Sequence, residues 1–340
     1  MTHMKQLRGA LAAALVGASA AGAFTLGAGT AALAQDPVTI RISTPAVPGD
    51  WHAEMLSIFK EWLERSASGQ FDVQVHLNAT LFAQGTEPAA MQRGNLEVAL
   101  ISAQDIAKEL PEYSIFTAGY LIRDPDHQQA VFQSDVGQEY FAAVRDVMGI
   151  QILDVAYLGT RQLNLRDVRD VQTPADLAGL NLRMPGSDTW LFLGSALGAN
   201  PTPLAFGEIY TGLQTGAIDG QDNPLPTNLA AGFYEVTNQI VLTGHLVDGV
   251  FFAFGGDFWD GLEPEQQELV REAAAAAIQF NNQNRIRQEA QLLAFFEEHG
   301  LTITTPDVDA FRSHVQQMYL ESEYSSDWPE GLLDRINAVE

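Results

Sequence analysis

No cysteine occurs among the 340 residues, so neither a disulfide nor a thiolate can support the fold or carry chemistry. Positive charge is also scarce: 18 Lys and Arg stand against 43 Asp and Glu, a formal net charge of −25. A surface of that sign repels phosphate backbones and anionic lipid, which argues against nucleic acid and membrane-surface partners. After residue 34 only Lys60 and Lys108 are lysines. Nearly all remaining positive charge is arginine, the better fork for a carboxylate. Beyond residue 34 no run approaches the ~20 apolar residues of a membrane span. HExxH, GxSxG, Walker and dinucleotide-glycine patterns are all missing. The seven histidines (His3, His52, His76, His127, His245, His299 and His314) lack ligand-like spacing. No metal or cofactor is expected.

Residues 1–34 read as a secretory signal. Lys5 and Arg8 form a basic start, Ala10 to Ala23 an apolar run, and Ala32-Leu33-Ala34 a small-residue cleavage site. With no Cys at that site, lipid attachment is not expected. The remaining 306 residues carry a formal charge of −27 and are enough for two domains.

The grammar after the leader is βαβα. Val38 to Ile42 alternates as a strand, Trp51 to Arg65 has helical spacing, and Phe71 to Leu77 alternates again. Thr86 to Arg93 reads as a helix stopped by Gly94, followed by a strand over Leu96 to Ser102. This order predicts a mostly parallel sheet flanked by helices. The middle repeats it: strands at Ile150 to Ala156 and Leu180 to Met184, helices at Thr189 to Leu197 and Gly207 to Thr215. Each half ends a helix on Gly (Gly94, Gly216) and places a carboxylate three residues later (Glu97, Asp219), expected inside the next strand. Pro264 to His299 is helix-favouring throughout. A continuous helix there would be roughly 50 Å long and would lie across both lobes. A break near Phe280-Asn281-Asn282 is the alternative.

The residues favour binding over catalysis. Asp219 and Asp222 could pose as an acid/base pair, but two lone acids are usually structural. In Leu180 to Met184 the apolar residues share one face, and Asn181 and Arg183 share the other. Ser187 or Asp188 would cap the next helix, whose N-terminal dipole favours anions. The bland alternative for Arg183 is a surface salt bridge. Arg161 is a weaker candidate of the same kind. Asn223 offers an amide, unless it only forms an Asx turn before Pro224. Phe206 offers an aromatic wall or plain core. Trp51 follows the first strand, where ligands of open α/β sheets sit, or it belongs to an amphipathic core. Trp190 fits either role.

Taken together, Leu182-Arg183-Met184-Pro185, Gly198 to Pro203, Leu213 to Gly216 and Asp219 to Pro224 resemble the solute receptors of tripartite ATP-independent periplasmic (TRAP) transporters, the DctP family. The resemblance covers about residues 38–335. It implies an α/β, periplasmic-binding-protein-like fold of type II character, with two α/β lobes, hinge strands and a long bridging helix. The implied division is 35–157 plus 248–285 for the first lobe and 158–247 plus 286–340 for the second, with helix 264–299 crossing both. It further implies that Arg183 pairs with a substrate carboxylate, near Arg161, Asn223 and Phe206. First-lobe contacts would come from the turns at Asp50-Trp51, Gln84-Gly85 and Ser102 to Gln104. The stretch Gly186 to Trp190, with Asp188 and Trp190, would tune selectivity. The implied protein is a monomeric periplasmic receptor for a small organic acid (a sugar acid, hydroxy or keto acid, dicarboxylate or aromatic acid). It would deliver that acid to the small and large subunits of an ion-driven permease. A periplasmic hydrolase or lyase acting on uronates, and an ABC-type or sensory binding protein, are the alternatives.

Overall fold

Val38–Ser43 (β1) pairs in parallel with Phe71–His76 (β2) and Val98–Ile101 (β3). Its Ile40 and Ile42 are fully buried with Met55, Leu56, Phe59 and Leu63 from the helix Trp51–Ser66, so the helical spacing read from the sequence marks a real packing face. The computed structural model describes residues 36–67 and 69–340; the expected signal segment, residues 1–34, lies outside them.

The same unit recurs later in the chain. Asn181–Met184 (β5) pairs in parallel with Asn200–Pro203 (β6) and Gly220–Pro224 (β7). Glu97 and Asp219 lie one residue before β3 and β7, where both had been expected inside strands. Each accepts a backbone N–H at 2.9 Å, from Arg41 and from Asn181 respectively. Those N–H groups sit where the parallel ladder has not yet begun, and a carboxylate supplies the missing acceptor. The two halves therefore start their strand pairings by the same device.

Between the two units run Ile150–Leu165 (β4) and Gln239–Gly255 (β8), of 16 and 17 residues. At about 3.3 Å per residue each is roughly 50 Å long, enough to traverse both lobes. The sheet order is β2-β1-β3-β8-β4-β7-β5-β6, and Thr302–Thr304 (β9) pairs with β8. The β3–β8, β8–β4 and β4–β7 pairings are antiparallel, so the sheet is mixed and the expected parallel character holds in its outer units and in the short β8–β9 pair. The strand expected over Ile150 to Ala156 continues to Leu165 across an irregularity at Gly159. Gly159 has φ +130°, and a methyl group there would run into the Pro224 ring.

The long helix Pro264–Glu298 is unbroken over 35 residues. No break occurs at Phe280-Asn281-Asn282, because both asparagines turn their amides away from their own helix. Asn281 Nδ2 donates to Tyr157 O and Asn282 Oδ1 accepts from Tyr157 N, each at 2.9 Å. Farther along, Arg285 donates to Asp50, Leu158 O and Thr227 Oγ1, and Glu289 accepts from Tyr157 and Thr160. One helix thus grips the first-lobe turn, the middle of β4 and the second lobe. Among the described residues no helix is long and apolar enough to cross a membrane.

Candidate ligand-binding site

The turns at the strand ends of both lobes enclose a cavity of about 480 Å³, a size suited to a small organic molecule. Its second-lobe wall begins at β5. Leu182 and Met184 are fully buried in the core, and the alternation of the strand turns Arg183 to the opposite side. Arg183 is only 1 % exposed. Its Nε donates to Leu204 O at 2.8 Å and its Nη2 reaches Gln84 Oε1 at 3.4 Å. Among the described residues no carboxylate lies within ion-pair distance of it. Burial lowers its pKa to about 9, with Asp222 opposing through space and the Arg161 charge adding to the fall. At neutral pH it remains a cation.

Arg161, on β4, has the opposite circumstances. Its Nε donates to Asp248 at 2.7 Å, and its Nη1 donates to Asp222 O at 2.9 Å and to Asp222 Oδ2 at 3.2 Å. The guanidinium carbon lies 4.3 Å above the Trp190 ring, a cation–π contact that also fixes its plane. Burial disfavours this charge, but Asp222 and then Asp248 outweigh the penalty and raise its pKa. Arg161, Asn223, Phe206 and Trp190 all line the cavity. Asn223 is held by donating to Gln221 Oε1 at 2.6 Å. Phe206 leans on Phe233, with ring centroids 5.6 Å apart.

The other four expected residues do not line the cavity. Arg183 stands behind its wall, reaching it through Leu204 and Gln84. Trp51 belongs to a helix–helix contact: its Nε1 donates to Gln288 at 2.7 Å and its ring meets Phe280 edge-on. The neighbours Asp50 and His52 face the cavity instead. Gln104 is buried, because Ser102 and Asp105 form a capping box that occupies the cavity side of the short helix Ala103–Ile106. At about 100° per residue, Gln104 falls roughly 200° round from Ser102. Asp188 is exposed beside Leu191 and Tyr324 on an outer groove, and Ser187 is the helix cap, accepting from Trp190 N at 3.4 Å.

Several cavity residues were not anticipated. His52 is buried, and burial together with the Arg285 charge pulls its pKa to about 3, so it is neutral in ordinary conditions. Asp248 was not anticipated as the partner of Arg161, since 87 residues separate the two. Glu87 opens the helix Glu87–Gln92 just after the Gln84-Gly85 turn, and it is 3 % exposed. Its Oε1 is buried without a hydrogen-bond partner among the described residues. Burial pushes the carboxyl up to about 7; backbone N–H groups resist that rise and Asp105 adds to it. An acid in a first helical turn is ordinary, so nothing in the sequence marks this one as buried.

The profile of the DctP family, bacterial extracellular solute-binding protein family 7, matches residues 43–326. The sialic acid-binding periplasmic protein SiaP of Vibrio cholerae is 29% identical over 308 residues, covering 88% of this chain and 92% of that protein. A TRAP periplasmic solute-binding protein of Roseobacter denitrificans, solved with bound 3-deoxy-D-manno-oct-2-ulosonic acid (KDO), is 51% identical, with a TM-score of 0.86. That match covers 90% of this chain and 100% of the other. A counterpart from Sulfurospirillum deleyianum with bound succinate is 25% identical, with a TM-score of 0.82 and coverage of 90% and 100%. These relatives are binding proteins, and the catalytic reading falls away with them. The chain belongs to the DctP family of TRAP solute receptors.

Proposed function

We propose that this chain is an exported periplasmic receptor that binds a sugar acid by its carboxylate and delivers it to a TRAP permease. The observation that carries the reading is Arg183, a buried guanidinium with no carboxylate at ion-pair distance among the described residues. An unpaired buried charge is costly, and the arrangement makes sense if an anion arrives from outside. Bidentate pairing would supply both energy and orientation. In this reading Arg183 takes the carboxylate through the Leu204–Gln84 side of the wall. Arg161 and Asn223 present the adjoining polar edge, and Phe206 and Trp190 flank the carbon skeleton. The ligand class rests on the KDO-bound relative and on the many hydroxyl-matching groups in the cavity, including Asp50, Ser102, Glu87 and Asp105.

The receptor would act as a monomer, released by cleavage near Ala34. Its lobes would comprise residues 35–157 with 248–285 and residues 158–247 with 286–340, closing on the ligand about β4, β8 and the long helix. The test is calorimetry of the mature protein with KDO, D-galacturonate and succinate, using wild type and Arg183→Ala. Loss of the partner of a buried charge pair should weaken the best ligand by about a hundredfold or more. Near-native affinity in that variant would remove Arg183 from the site and with it this reading.

A further inference from the structure

Glu87 is an anomaly that carboxylate recognition does not absorb. It is a cavity-lining carboxyl from the lobe opposite Arg183, buried, and one of its oxygens has no hydrogen-bond partner among the described residues. Among the described residues no cation lies within ion-pair distance of it: the nearby Lys108 is paired with Asp105 at 3.5 Å. Asp105 itself brings a like charge toward the same wall. Unsatisfied buried carboxyls are rare because they destabilise the fold, and they persist where a ligand completes them.

We infer that Glu87 sets ligand selectivity, accepting a hydrogen bond from a hydroxyl on the distal part of the bound acid and excluding a second carboxylate there. The inference rests on the carboxylate-receptor reading above and specifies the other end of the same ligand. The chemistry is asymmetric. A hydroxyl both donates and accepts, so it satisfies the Glu87 carboxyl in either protonation form. A ligand carboxylate can pair only with the protonated form, and it meets repulsion from the ionised form and from Asp105. Polyhydroxylated mono-acids therefore fit the whole cavity, whereas short dicarboxylates are left with one end opposed. Selection of this kind works by repulsion of the wrong ligand as much as by attraction of the right one.

The experiment compares KDO with succinate by calorimetry on wild type, Glu87→Gln and Glu87→Leu, with thermal unfolding of each variant as a folding control. Wild type should bind KDO at least about a hundredfold tighter than succinate. Glu87→Gln keeps donor and acceptor but loses the charge, so KDO binding should persist while succinate binding improves by about tenfold or more. Glu87→Leu should lose about tenfold or more for KDO, leaving the hydroxyl unmatched. Wild type binding both acids equally, or both variants preserving the wild-type ratio, overturns the inference. Either result leaves Arg183 intact as the carboxylate anchor, because both probes carry that group. Failure of wild type to bind any of the acids would overturn the two readings together.

Discussion

Gln84 Oε1 stands 3.4 Å from Arg183 Nη2, so the unpaired cation of one lobe is touched by a first-lobe turn. Gln84 is followed by Gly85 at φ +83°, a left-handed backbone that disfavours any side chain, while a methyl there would only touch Asp105 Oδ1 at 3.4 Å. The amide is therefore carried on a turn built for glycine. It is the one side-chain acceptor Arg183 has among the described residues. A ligand carboxylate would bring a full negative charge where now there is only an amide dipole.

Arg161 and Arg183 should respond in opposite ways to truncation. Arg161→Met strands Asp222 and Asp248 in the interior, and removal of one partner from a buried pair costs about 3–5 kcal/mol. Its unfolding midpoint should fall by roughly 10 °C. Arg183→Met strands no ion-paired carboxylate, so its midpoint should stay near that of wild type while ligand-induced stabilisation disappears. Differential scanning calorimetry with and without KDO checks both. Equal loss of stability in the two variants would contradict the contrast.

Glu87 should make stability fall with rising pH. Its folded-state pKa of about 7 lies above the ordinary 4.5, so the folded protein holds this proton more tightly than the unfolded chain. The contribution is fully present below about pH 4.5 and is lost as pH rises through about 7. A shift of that size corresponds to about 3 kcal/mol. Urea unfolding of wild type and Glu87→Gln between pH 4.5 and 8 isolates the term. The difference between the two proteins should change across that window and level off above it; a constant difference argues against a proton held on Glu87.

Trp51→Phe tests the placement of Trp51 away from the cavity. The change removes the Nε1 bond to Gln288 but keeps an aromatic ring against Phe280. Stability should drop by about 1 kcal/mol while affinity for the acid stays within about twofold. A tenfold loss of affinity with unchanged stability would place the indole in the site after all.

Gly159→Ala should be strongly destabilising. The position combines φ +130° with direct contact against Pro224, so a methyl group meets both backbone strain and a clash. Together these should cost about 2–4 kcal/mol, read from the urea midpoint. A variant as stable as wild type would mean that β4 relaxes there without penalty.

What the sequence made legible follows from period and local chemistry. Helix Trp51–Ser66, β1, β2, β5 and the 35-residue helix carry regular patterns or clear end signals, and the equivalence of Glu97 and Asp219 was visible as a repeat. The second half of β4 was hidden because Gly159 and the register shift at Arg161/Leu163 break its alternation. β8 was hidden likewise, since Gly244, His245, Asp248 and Gly249 interrupt its apolar run. In the site, residue type was legible and environment was not. Arg183 and Arg161 look alike in sequence, yet only three-dimensional pairing shows that Asp222 and Asp248 occupy one and that the other has no ion pair among the described residues. Trp51, Gln104 and Asp188 lie off the cavity lining because a helix rotates neighbours about 100° apart, and the sequence does not say which one faces inward.

The chain passes between its halves by β4, returns by β8 and crosses again along the long helix. Because β8 is the antiparallel neighbour of both β3 and β4, neither half owns a complete sheet. A gene fragment encoding one half would yield a polypeptide with an open strand edge and an uncovered apolar face, prone to self-association. Shuffling of lobes between paralogues is therefore blocked by the topology, and new ligand preferences must arise by substitution within the turns.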